Sequence, residues 1–115
     1  MDLNHLHLHV RDVARSRRFY ETWFGFGLHA RHDDLVFLRN SEGFDLALMP
    51  DPEPTKLPDW FHFGFRLESA DAVRQLYERM KAAEIAFRRP LLDEADLVSF
   101  RCEDPDGYAV EVYWE

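Results

Sequence analysis

The chain repeats itself, and that repeat constrains its fold more than any single motif. Asn4-His5-Leu6-His7-Leu8-His9-Val10, followed by Asp12, Phe19 and Tyr20, is echoed by Phe61-His62-Phe63-Gly64-Phe65-Arg66-Leu67, followed by Ser69, Leu76 and Tyr77. The offset from His5 to His62, 57 positions (62 minus 5), also carries Leu8 onto Phe65, Val10 onto Leu67 and Tyr20 onto Tyr77. A second echo sets Gly43-Phe44-Asp45-Leu46-Ala47-Leu48 against Gly107-Tyr108-Ala109-Val110-Glu111-Val112, which places Ala47 opposite Glu111. Each half therefore reads as a strand led by a histidine, a helix, and three shorter strands.

Hydrophobic periodicity fills in the elements. Residues 3–10 alternate polar and apolar side chains, the mark of a strand with one wet and one dry face. Asp12 is placed to cap a helix running to about Phe24, and Gly25 to end it. Strands follow near 27–32, 35–40 and 44–49. Pro50, Pro52, Pro54 and Pro58 then give a stiff linker over 50–59. The pattern restarts with a strand over 60–67, a helix over 70–83 capped by Ser69, and strands near 86–91, 96–102 and 108–114. Val73, Leu76, Tyr77, Met80 and Ala83 form the apolar stripe of that helix. The expected fold is α+β: two βαβββ modules, 1–49 and 60–115, in one domain, building a curved mixed sheet with helices on its convex face.

Strand phase selects the side chains free for chemistry. If Leu6, Leu8 and Val10 face the helix, then His5, His7 and His9 share the open face. By the same argument His62, Gly64 and Arg66 are open on the matching strand, and Ala109, Glu111 and Tyr113 on the last. Ser99 and Arg101 alternate with apolar Val98, Phe100 and Cys102 and share a face. His5, His62 and Glu111 thus occupy the open sides of both halves. Two neutral imidazoles and a carboxylate, with further positions for water or substrate, suit a divalent ion such as Fe, Mn, Zn, Ni or Co. Arg101 could hold a carboxylate or phosphate, and Ser99 and Tyr113 could line a substrate site. His7 is the candidate acid–base, since imidazole exchanges protons near neutral pH. His9, His29 and His32 read as solvated, and Cys102 as a core residue.

The stretch Leu3 to Asp12 with Phe19-Tyr20, and the ending Glu103-Asp104-Pro105-Asp106-Gly107-Tyr108-Ala109-Val110-Glu111-Val112, resemble the vicinal oxygen chelate superfamily, which includes glyoxalases, bleomycin resistance proteins and extradiol dioxygenases. The resemblance implies metal ligands at His5, His62 and Glu111. It also implies a homodimer whose sites combine His5 of one protomer with His62 and Glu111 of another. It departs from glyoxalase I at Ala47, where that enzyme has a fourth ligand. It departs from thiol transferases and extradiol dioxygenases at Arg101, where those relatives carry a tyrosine. The expected function is a metal-dependent enzyme acting on a small, oxygen-bearing, anionic substrate, with lyase or isomerase, transferase and dioxygenase chemistries all open. The alternative is a non-catalytic binder of the bleomycin resistance type, for which the aromatic pair Trp60-Phe61 could line a groove.

Composition narrows the partners. A net charge of −8 disfavours nucleic acid and anionic membrane surfaces. Cys102 is the only cysteine, so no intrachain disulfide or thiolate zinc cluster can form. No apolar run is long enough for a bilayer span or a secretion signal, which leads to the expectation of a cytoplasmic protein.

Overall fold

Alternation at the N-terminus becomes strand β1 (His5–Val10) in the computed structural model, which describes residues 1–115. Leu8 and Val10 are buried, whereas His5, His7 and His9 are exposed. Helix α1 (Val13–Phe24) starts where the Asp12 carboxylate accepts the Arg15 amide hydrogen, satisfying a donor that the first helical turn cannot. It stops at Gly25, whose φ of 69° is left-handed, and the Gly25 amide bonds back to the Tyr20 carbonyl. Phe19 and Tyr20 are its buried aromatic residues. Strands β2 (Gly27–His32), β3 (Leu35–Arg39) and β4 (Asp45–Pro50) complete a sheet ordered β1-β4-β3-β2, with β1 and β4 parallel and the other pairs antiparallel.

The second half rebuilds the same unit. It comprises β5 (Phe63–Arg66), α2 (Ala70–Ala82), β6 (Phe87–Asp93), β7 (Val98–Glu103) and β8 (Ala109–Trp114), with sheet order β5-β8-β7-β6. Ser69 caps α2 by accepting the Ala72 amide hydrogen. Val73, Leu76 and Met80 are buried, and α2 lies against β7 and β8. Tyr77, Phe87 and Phe100 form a ring cluster with centroid separations of 4.6 to 5.7 Å. By contact density the chain divides at Lys56/Leu57 into two compact units, and neither helix is long and apolar enough to cross a membrane.

The duplication extends to hydrogen bonds. Before β4, Asn40 Oδ1 accepts from the amides of Glu42 and Phe44, and the Gly43 amide donates to the Asn40 carbonyl. Before β8, Asp104 Oδ1 accepts from the amides of Asp106 and Tyr108, and the Gly107 amide donates to the Asp104 carbonyl. Gly43 and Gly107 take φ of 81° and 87°, a region where a Cβ is strained. These turns fix the register of the strands they join, placing Ala47 opposite Phe37 in one unit and Glu111 opposite Arg101 in the other.

Four details differ from the sequence reading. Strand β5 starts at Phe63, so His62 precedes it: the Phe61 amide closes a turn onto the Pro58 carbonyl, and pairing with β8 begins only at Phe63. Pro50 ends β4 instead of opening the linker, because the next amide, that of Asp51, makes the bond to Val10 that proline cannot. Ala109 is buried, and Ala83 is an exposed cap rather than part of the apolar stripe.

Cys102 is fully buried, and burial pushes its thiol up to about 12. The thiolate is the reactive form, so Cys102 is expected to resist a chromogenic disulfide reagent at pH 8 and to react at once on unfolding in guanidinium. Rapid labelling of native protein would show that β7 opens.

Candidate functional site

Strand β8 holds the centre of the candidate site. Glu111 lies between β5 and β7, paired with Gly64 on one side and Arg101 on the other. A Cβ built on Gly64 would sit 2.9 Å from the Glu111 carbonyl oxygen and 3.1 Å from its Cβ. The strand carrying the carboxylate therefore approaches this closely only because residue 64 has no side chain. His62, just before β5, places Nε2 3.5 Å from Glu111 Oε2. These two side chains are about one-third and one-quarter exposed.

The tautomer of His62 follows from its neighbours. Nδ1 lies 3.0 Å from the Trp60 carbonyl oxygen, which can only accept, so Nδ1 carries the hydrogen. Arg101 Nη2 lies 3.1 Å from Nε2, and a guanidinium can only donate, so Nε2 presents its lone pair. Arg101 Nε is also 3.8 Å from Glu111 Oε1 and is buried without a hydrogen-bond partner. The three side chains form a compact His–Arg–Glu cluster. Beside it is a cavity of about 420 Å³, lined by His62, Phe63, Gly64, Leu97, Glu111, Tyr113 and Glu115.

In the first unit, His5 opens β1 with its Nδ1 2.9 Å from Asn4 Oδ1. Asn4 Oδ1 can only accept, so Nδ1 carries the hydrogen and Nε2 keeps its lone pair, as in His62. His7 pairs with Ala47, so the position matching Glu111 holds a methyl group that cannot ligate. His7 and His9 rings are 5.2 Å apart. His9 is exposed, as expected, and its Nδ1 also bonds Asp51 at 2.9 Å. That bond is the main reason the Asp51 carboxyl lies below its ordinary range. Asp45, which pairs with His5, is likewise held low, chiefly by hydrogen bonds from Arg39.

Of the residues read from sequence, the second unit brings together His62, Arg101, Glu111 and Tyr113. Ser99 pairs with Tyr113 but does not line the cavity. Arg66 is bonded to the Glu115 carbonyl. Leu97, Glu115 and the Trp60 carbonyl escaped the sequence reading. The first two lie beyond the repeat motifs, and the third is a backbone group whose aim depends on a turn. Nowhere in the chain do three His, Cys, Asp or Glu side chains come together so as to hold a metal ion.

The donor chemistry nevertheless fits a divalent metal. His62 offers an unprotonated imidazole nitrogen, Glu111 a carboxylate oxygen, and a backbone carbonyl fixes the ring. For bonds of about 2.0–2.2 Å, adjacent ligand atoms are separated by roughly 3–3.5 Å, in line with the spacing of Nε2 and Oε2.

A sequence model of the Glyoxalase/Bleomycin resistance protein/Dioxygenase superfamily matches residues 2–112. The chain belongs to that superfamily. It is 36% identical to an uncharacterised protein of Pseudomonas aeruginosa, over 95% of this chain and 85% of that one. It is 28% identical to the glutathione transferase FosA of Serratia marcescens, over 96% of this chain and 79% of that one. A solved structure of a possible glyoxalase from Bacillus cereus superposes with a TM-score of 0.83 at 34% identity, covering 97% of each chain. In this chain Arg101 and Glu111 lie on β7 and β8 of the second unit, and His62 immediately precedes β5.

Proposed function

We propose that the protein is a divalent-metal-dependent enzyme acting on a small, oxygen-bearing, anionic substrate. The observation that carries this reading is the pairing of a lone-pair imidazole nitrogen, fixed by the Trp60 carbonyl, with the Glu111 carboxylate beside an open cavity. His62 and Glu111 would supply two ligands and His5 of a second protomer the third, in a homodimer with two shared sites. A second protomer is part of the proposal because no three His, Cys, Asp or Glu side chains of one chain come together to hold a metal ion.

A metal in such a site acts as a Lewis acid toward a substrate oxygen. The protein's own groups do the rest. Arg101 offers a planar fork that matches a carboxylate or phosphonate. His7, open beside the small side chain of Ala47, would accept or return a proton on the substrate. The similarity to a glutathione transferase and to a possible glyoxalase supports an enzyme reading. A second reading, a non-catalytic small-molecule binder, is favoured by Trp60, an aromatic residue that is 74% exposed.

Protein purified without chelator is expected to carry about one divalent ion per chain and His62→Ala almost none, by elemental analysis. Equal metal in the two proteins, or none in the wild type, would sink the enzyme reading. Turnover of the loaded protein on thiol adducts of 2-oxoaldehydes, catechols and phosphonates then separates enzyme from binder.

A further inference from the structure

Arg101 holds the same lone pair that a metal would need. Its Nη2 donates to His62 Nε2 at 3.1 Å, and its Nε faces Glu111 at 3.8 Å. Imidazole has a single lone pair in this tautomer, so the arginine bond and a metal bond at Nε2 exclude each other. A metal would also draw on the charge of Glu111. It would thus claim both partners of a guanidinium whose side chain is only 12% exposed. A largely buried cation left without counter-charge is strongly disfavoured. Even now its Nε lacks a hydrogen bond, so the present pose does not satisfy the group.

Building on the proposed metal site, we infer that Arg101 is an internal competitor for that site, and that an oxyanion bound by its fork releases it. Arg101 lies behind the residues that line the cavity, so its fork would have to turn from His62 toward the cavity, where the anion would restore the lost counter-charge. Metal and anion would then strengthen each other's binding by the same factor, as linkage requires. The position thus sets a preference for substrates bearing a carboxylate, phosphate or phosphonate. Its repeat equivalent is Phe37, opposite Ala47, so only the second unit has this device.

Metal-free protein titrated with Co(II), followed by visible absorption, tests the inference in chloride buffer and again with sulfate at equal ionic strength. Wild type is expected to bind Co(II) about tenfold more tightly with sulfate, the scale of one charge-assisted hydrogen bond. Arg101→Gln is expected to bind about tenfold more tightly than wild type in chloride, with no response to sulfate. Arg101→Lys keeps the charge and loses the fork. It should remain as weak as wild type in chloride and gain less from sulfate, separating charge from packing. If wild type and Arg101→Gln both bind Co(II) but Arg101→Gln is no tighter, or sulfate acts equally on both, the competition is refuted alone. If neither binds Co(II), the metal site itself is refuted.

Discussion

Mixing His5→Ala protein with Glu111→Ala protein is expected to restore about a quarter of the wild-type metal content, although each variant alone binds almost none. Under the proposed shared site, each position draws His5 from one protomer and His62 and Glu111 from the other. Random reassortment after joint refolding makes half the dimers mixed. Each mixed dimer has one fully wild-type site and one lacking both ligands, which gives about one site in four. Elemental analysis of the desalted mixture reads the result directly. No recovery would mean that His5 and Glu111 do not meet across protomers. The separate variants supply the control, because loss of either ligand alone must already empty the site.

The second large effect concerns a residue with no side chain. Gly64→Ala places a methyl group 2.9 Å from a backbone carbonyl oxygen, and that carbonyl belongs to Glu111. Backbone within a sheet cannot give way as a flexible side chain can, so β5 and β8 must separate or slip. The expected cost is about 1–3 kcal/mol, seen as a fall in melting temperature of about 4–8 °C per kcal/mol, with a loss of bound metal. Gly27→Ala is the matched control: it is also in a strand, and a Cβ there meets nothing within 4 Å. Its melting temperature should stay near that of wild type. Equal melting of Gly64→Ala and wild type would show that the strands have slack at this point.

The strand faces that carry the candidate site were largely legible because strand phase and repetition are properties of sequence. The alternation from His5 to Val10 forced three histidines onto one face, and the echo at His62 marked its counterpart. Asp12, Ser69 and Gly25 announced the helix ends through the groups that unpaired helical amides and carbonyls require. The turns at Asn40 and Asp104 are the same turn built once with an amide and once with a carboxylate, an equivalence that the sequence reading did not contain. His9 is solvated as read, but its partner Asp51 was not foreseen, because it lies in the linker, 42 positions away. Strand β5 was read three residues too long at its start, since the turn onto Pro58 competes with pairing to β8.

By itself the sequence determined the two βαβββ units, the faces of their strands and the positions of His5, His62 and Glu111, because hydrophobic burial follows a period that can be counted along the chain. It also placed an arginine at 101. Tertiary structure decided what that arginine touches, which His62 nitrogen is free, and why residue 64 must be glycine. Those outcomes depend on distances across β5, β8 and β7, between residues up to 47 positions apart (64 to 111), where angstroms rather than sequence periods select the chemistry.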